Sequence, residues 1–415
     1  MSGSLLLESA AQVVVAARFV RGGSGLHAEV DFRPNASVLI EDGRVVRIGA
    51  SHELRRDHPA VPSYDCTGKV VTPGLVDAHT HLVFAGSRLD EFEQRCRGVS
   101  YAEIAQGGGG ILATVRATRA ASDQELVEGV LRRSHRLLAC GTTCAETKSG
   151  YGLSTEHELR LLRVIREAGS RTPLRLIPTF LGAHAVPPEA KGDADGYVHQ
   201  VVNNMLPTVA KEGLASYCDV FCEQGYFDTQ QTRRILAAAK ALGLGLRLHA
   251  DQLSNSGGAL LAAELGAVTA DHLEETGPDG IRALAQAGVQ PVLLPASVFG
   301  LGRAKYPDAR SMLRAGLSVV LASDFNPGSS PTPSLPMVMA IATRYMNMTA
   351  AECLAACTSS AARSIGLEGE LGGLEVGMRA DVAVWDCEDW RELCFQFGDW
   401  RASAVFVGGR PVPIA

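Results

Sequence analysis

The chain lacks several features that would place it in common functional classes. It has no excess of positive charge: 39 Lys and Arg stand against 45 Asp and Glu, a formal net charge of −6 over 415 residues. That balance argues against a nucleic-acid or anionic-membrane surface. No run of about 18 apolar residues occurs, so no membrane span is expected. The opening "MSGSLLLESAAQVVV" has no basic stretch ahead of its apolar runs, which Glu8 and Ser9 interrupt; no export signal is expected, and the expected location is cytoplasmic. Ten cysteines are present and none forms C-x-x-C. Three pairs are four apart, Cys140/Cys144, Cys218/Cys222 and Cys353/Cys357. In a long chain without an export signal, these read as reduced buried thiols rather than a disulfide framework.

What is present is an ordinary soluble composition, 46% hydrophobic and 20% charged, with a marked order along the chain. Residues 1–72 read as short strands and turns, with a hairpin in "ASVLIEDGRVVRIGA" that turns at Glu41-Asp42-Gly43. From 73 to 365, eight apolar strand candidates alternate with helical segments. The strands are "GLVDAHTH", "GTTCAETKSG", "LRLIPTFLGAH", "CDVFCEQGYF", "LGLRLHADQ", "AVTADHLEE", "VQPVLLPAS" and "LSVVLASDFNPG". Helices are predicted at 122–139, 154–169, 229–242, 257–266 and 278–287. Residues 366–415 return to short strands. The pattern predicts an α/β fold: a (β/α)₈ TIM barrel, with a small β-sandwich domain built from both termini.

In such barrels the chemistry gathers at the C-terminal ends of the strands. Those ends carry His79 and His81, then Glu146, Lys148 and Tyr151, then His184, Glu223, His249, His272 and Asp324. His79 and His81 are two apart on one strand and therefore share a face. Five of the 11 histidines sit at strand ends, a distribution that core histidines would not produce. Imidazoles with a carboxylate suit a borderline divalent metal with one position left for water.

The segments "PGLVDAHTH", "ASDFNPG" and "TSSAARSIGLEGELGGLEVGMRADVAVWD", with a lone histidine ending each of strands 5 and 6, resemble the amidohydrolase superfamily. "DAHTHLVFAGSR", "ETKSGYGL", "TFLGAHAVPPE", "HADQLSNSGG", "DHLE" and "SDFNPGSSPTPSLPMVM" resemble, in order, its branch that opens the imidazolone ring in histidine degradation. The resemblance covers essentially the whole chain. It implies metal-dependent hydrolysis of 4-imidazolone-5-propanoate to N-formimidoyl-glutamate, by attack of activated water on the ring carbonyl carbon. It implies one metal ion per chain, zinc or iron, held by His79, His81, His249 and Asp324, and a homodimer acting on a small molecule. It places Arg88, Tyr101, Tyr151, His184, Gln252, Asn326, Gly328 and Ser329 around the substrate. Some members carry Glu, assigned as the base, where this chain has Gln252; an amide cannot take that role, so proton transfer falls to His272 and Asp324. Lys148 ends strand 2, not the strand whose carboxylated lysine bridges two metals in relatives, and Glu223 is the nearer candidate for a second ligand. A ring deaminase, or a hydrolase of another cyclic amide, would share the ligands. The set Arg88, Tyr151, His184 and Asn326 favours the imidazolone. A catalytically dead scaffold would be expected to have lost ligands that this chain keeps.

Overall fold

The computed structural model describes residues 3–99, 103–104 and 107–414. Eight parallel strand positions form the barrel: Leu75–Thr80, Thr142–Lys148, Arg175–Ala183, Tyr217–Cys222, Gly245–Leu246 with His249–Ala250, Thr269–His272, Gln290–Leu293 and Val320–Leu321. Seven fall within the predicted segments, and the fourth begins one residue before its own, at Tyr217. The fifth is interrupted at Arg247–Leu248. There the His249 amide donates to a side-chain oxygen, Asp219 Oδ1, at 3.1 Å.

The first and last strands meet through a short seam rather than a full ladder. Thr80 bridges Phe325 in parallel, His81 N–H donates to the Phe325 carbonyl at 3.0 Å, and Asp324 N–H to the His79 carbonyl at 3.0 Å. The first strand does not alternate throughout, because its pairing with the second shifts at Leu75/Val76 and between Asp77 and Thr80. Val76 and Ala78 join Cys144, Val292 and Val320 in one buried cluster, Asp77 accepts from the Ser323 amide at 3.0 Å, and past the shift both His79 and His81 turn toward His249.

Helices lie close to the predicted spans: Asp123–Ala139, Thr155–Arg171, Thr229–Ala241, Gly258–Leu265 and Pro278–Ala287. Three of these starts carry a side-chain cap: Ser154 accepts from the His157 amide, and the other two are capped reciprocally. Ser122 with Glu125 and Asp228 with Gln231 form reciprocal capping boxes.

The strands of the two termini form a separate eight-stranded sheet that buries its own cluster of Leu7, Val13, Val38, Val71, Val382 and Phe406. Its N-terminal part departs from the expected short strands. Leu5–Gly22 and Gly25–Glu41 are one long antiparallel hairpin. Bulges at Leu7/Ala10 and Val14/Ala16, with Ser9 at φ 63°, break the two-residue alternation. The predicted hairpin at Asp42-Gly43 is its continuation. The sheet is tied to the barrel by Trp385, whose indole donates to Thr72 Oγ1 at 2.9 Å and whose ring lies against Gly141. A Cβ there would stand 2.4 Å from that ring.

Candidate active site

The ligand-type atoms of His79, His81 and His249 converge within 4.8 Å of one another at the C-terminal rim. Asp324 Oδ1 lies 3.3 Å from His81 Nε2 and 3.6 Å from His79 Nε2. Two of these imidazoles are aimed by carboxylates beneath them. His79 Nδ1 meets Asp271 Oδ2 at 2.6 Å, and His249 Nδ1 meets Asp219 Oδ1 at 3.0 Å. A carboxylate accepts, so each Nδ1 carries the proton and each Nε2 presents a lone pair. His79 Nε2 and His81 Nδ1 are buried without a hydrogen-bond partner, an arrangement that costs free energy unless a further group completes it. The donor set therefore fits a borderline divalent metal. Burial holds His79 well below the usual histidine range and lowers His249 despite Asp219, so both are neutral, the form a metal needs. Burial works against the Asp324 carboxylate, yet the imidazoles around it, His81 first, hold its pKa at about 2.

Below the triad lies a buried charged layer that the sequence reading did not assemble. Lys148 Nζ sits 2.8 Å from Glu146 Oε1, 2.9 Å from Asp219 Oδ2 and 4.0 Å from Asp271 Oδ2. Arg247 reaches Asp271 at 3.5 Å and the Ala78 carbonyl at 2.8 Å. All five side chains are fully buried. Burial opposes the Lys148 charge, but Asp219 and Glu146 outweigh it and raise its pKa, so Lys148 is an ammonium ion. The signal was present in the sequence. Asp219 is the lone charge in the apolar strand "YCDVFC", and Arg247 stands two residues before His249, on the same strand face.

His81, Arg88, Tyr151, His184, His249, Gln252, His272, Asp324, Asn326, Gly328 and Ser329 line one pocket, with walls from Ile111, Phe221, Tyr226, Leu253 and Leu301. His79 lies under its floor. Tyr101 falls outside the described residues. The wall residues carried no recognisable sequence signal, since they come from four separate segments.

Left-handed backbone at His272 (φ 80°), Leu273 (φ 70°) and Asp324 (φ 52°) marks this rim; such conformations in non-glycine residues cost energy and concentrate at functional sites. The turn at His272 puts its ring into the pocket, while Asp271 just before it points beneath. His272 Nδ1 faces Glu274 Oε1 at 3.4 Å. Burial opposes protonation of His272, but Glu274 overrides it and raises the pKa.

His184 Nδ1 donates to the Gly150 carbonyl at 2.9 Å, and its ring stacks on His81 at 5.3 Å between centroids. Burial keeps it neutral, which leaves Nε2 as an acceptor. The loop that carries Gly150 and Tyr151 is held by Glu158, whose carboxylate accepts from the amides of Gly150, Gly152 and Leu153 at 3.0, 2.7 and 2.8 Å.

Asn326 organises the turn after the last strand. Its Oδ1 accepts from Gly328 and Ser329 amides at 2.7 and 2.9 Å; its Nδ2 donates to the Asp324 carbonyl at 2.6 Å and Ser329 Oγ at 2.8 Å. Those bonds use its full amide capacity. Glu223 lies outside the histidine group. Its carboxylate accepts from the Leu253 and Ser254 amides at 2.8 and 3.2 Å and from the Ser254 hydroxyl, and so fixes the loop next to Gln252.

A parallel barrel with a histidine cluster and an aspartate at its C-terminal rim defines a hydrolase of the amidohydrolase class. Residues 104–413 match the model of the amidohydrolase family. The chain is 51% identical over 385 residues to the imidazolonepropionase of Solibacter usitatus, covering 92% of each chain. It is 50% identical over 388 residues to that of Rubrobacter xylanophilus, covering 93% of this chain and 92% of the relative. Among solved structures, Escherichia coli guanine deaminase superposes with a TM-score of 0.75 at 16% identity over 99% of both chains. Atrazine chlorohydrolase from Arthrobacter aurescens, complexed with zinc, gives 0.69 at 18% identity over 98% of this chain and 94% of that one; these two likenesses speak to the fold. Within the amidohydrolases, the chain belongs to the imidazolonepropionase family.

Proposed function

We propose that the chain opens the ring of 4-imidazolone-5-propanoate by hydrolysis, giving N-formimidoyl-glutamate. The observation that carries this reading is one pocket that joins a metal-type histidine cluster to the guanidinium of Arg88. The substrate has the two matching parts, a cyclic amide and a propanoate tail. His79, His81, His249 and Asp324 would hold one metal ion, zinc or iron. A divalent ion there would lower the pKa of water and polarise the ring carbonyl.

The remaining work belongs to the side chains. Arg88 offers the tail carboxylate a planar two-pronged donor. His184 Nε2 accepts from a ring N–H, and Gln252 orients the ring or the attacking water through its amide. Tyr151, with Tyr101, adds hydroxyl donors toward the carboxylate. Asn326 acts through the turn it shapes, presenting Gly328 and the Ser329 hydroxyl to the pocket. As water adds to the carbonyl carbon, Asp324 takes its proton. His272 returns a proton to the departing ring nitrogen, and the C–N bond breaks.

The catalytic unit in this reading is 73–365, with 1–72 and 366–415 as the small β-domain. A cytoplasmic homodimer belongs to the same reading, and sedimentation of the purified protein tests the dimer. Among the described residues no helix is long and apolar enough to cross a membrane.

The deciding experiment mixes purified protein with fresh imidazolonepropionate and follows its ultraviolet absorbance with and without a strong chelator. Rapid, chelator-sensitive loss that yields formimidoyl-glutamate supports the reading. No loss from metal-loaded protein overturns it.

A further inference from the structure

Two of the histidines that meet at the rim are each backed by an aspartate, and both aspartates come within reach of one ammonium ion. Lys148 Nζ is 2.9 Å from Asp219, the partner of His249, and 4.0 Å from Asp271, the partner of His79. His79 stands on the first strand and His249 on the fifth. Lys148 stands on the second, its carboxylate neighbours on the fourth and sixth. The three groups thus span the barrel interior and join walls that share no hydrogen bonds.

We propose that Lys148 is a positioning residue for the metal site: its ammonium clamps Asp219 and Asp271 in the places from which they aim His249 and His79. The inference rests on the reading of His79, His81, His249 and Asp324 as ligands.

Three features carry it. A lysine buried at 0% exposure among carboxylates is costly unless the geometry is well made, and here it has carboxylate oxygens at 2.8 and 2.9 Å. Each aspartate spends one oxygen on an imidazole Nδ1; Lys148 meets the other oxygen of Asp219 and approaches Asp271 on the oxygen that His79 also uses. The charge balance also points to Lys148. Lys148 and Arg247 face Glu146, Asp219 and Asp271, an excess of one negative charge; Asp324 brings it to two, the charge that a divalent cation cancels. Without Lys148 the excess would rise to three, and the carboxylates would repel one another at the base of the site.

Arg247 cannot replace this link. It reaches Asp271 at 3.5 Å, but its other bonds run to the carbonyls of Ala78 and Ser364. It braces Asp271 alone, whereas Lys148 pairs with Asp219 at 2.9 Å and lies within 4.0 Å of Asp271.

Removing Lys148 alone would strand carboxylates in the core and endanger the fold. The test therefore pairs Lys148→Met with Glu146→Gln, which takes away one charge of each sign and keeps Glu146's shape beside the Thr80 amide. The measurements are Zn²⁺ affinity by chelator competition, the visible spectrum of the Co²⁺-loaded protein, and the melting temperature of the metal-free protein. The expected result is zinc affinity weaker by roughly 10- to 100-fold and an altered cobalt spectrum, while the metal-free melting temperature stays within a few degrees of wild type. Wild-type zinc affinity and an unchanged cobalt spectrum in the folded double variant would overturn the proposal. His81→Asn serves as the control: if it binds zinc as tightly as wild type, the ligand reading itself fails, and the two failures are told apart.

Discussion

Arg88 lies across Gly328: a Cβ at that glycine would stand 3.0 Å from Arg88 Nη1 and 3.1 Å from its Cζ. The guanidinium has little room to yield, because its Nε is held at 2.5 Å by Glu91, whose other oxygen accepts from the Gly110 amide. Gly328→Ala should therefore tilt the carboxylate-binding fork without unsettling the barrel. The expected outcome is a KM raised about tenfold, equivalent to about 1.4 kcal/mol of binding, with kcat and melting temperature nearly unchanged. Steady-state kinetics with imidazolonepropionate check it; an unchanged KM would remove Arg88 from the carboxylate.

His272 occupies the rim in left-handed backbone and touches no ligand-orienting carboxylate. His272→Asn should keep bound metal and lose roughly 10²- to 10⁴-fold in kcat, the range for a removed acid–base group. Metal content by elemental analysis, set beside turnover, makes the separation. Near-normal turnover would clear His272 of proton transfer.

Glu158 is buried under the loop that carries Tyr151 and the Gly150 carbonyl bonded to His184. In Glu158→Gln, one amide nitrogen must face a backbone N–H that the carboxylate now accepts. The cost should be about 1–3 kcal/mol of stability, read from the urea midpoint, together with a rise in KM as His184 loses its fixed partner. A stability loss with wild-type KM would limit Glu158 to a structural role.

Chelation should abolish turnover, and one equivalent of metal per chain should restore it. Elemental analysis that finds two equivalents in active protein would contradict the single site that His79, His81, His249 and Asp324 outline.

Much of this was legible in the residue order. The two-residue spacing in "GLVDAHTH" put both histidines on one face, and the helices expected from 122, 154 and 229 begin at Asp123, Thr155 and Thr229. Two kinds of information were not legible. The long N-terminal hairpin was hidden because its bulges and polar positions, such as Gln12 and Arg18, imitate turn breaks. The pairing of Lys148 with Asp219 and Asp271 was hidden because sequence gives the face of each residue but not which faces meet across a closed barrel. Glu223 shows the same limit: its strand-end position suggested a ligand, and only its bonds to the Leu253 and Ser254 amides reveal a loop anchor.

The seam between the first and last strands has a consequence for how the molecule breathes. The barrel closes there through one bridge and two amide bonds, Thr80 with Phe325, His81 to Phe325 and Asp324 to His79. Of the proposed ligands, His79 and His81 sit on one lip of that seam and Asp324 on the other. An ion held between them would act as a clasp over this short seam, joining segments some 240 residues apart in sequence. Occupancy and closure then become a single equilibrium. By mass action a ligand at a thousand times its Kd adds about 4 kcal/mol to the closed state. Amide exchange around Thr80 and Phe325 should thus report metal loading directly, and metal starvation would register first as an opened barrel exposed to proteolysis, before any change elsewhere in the fold.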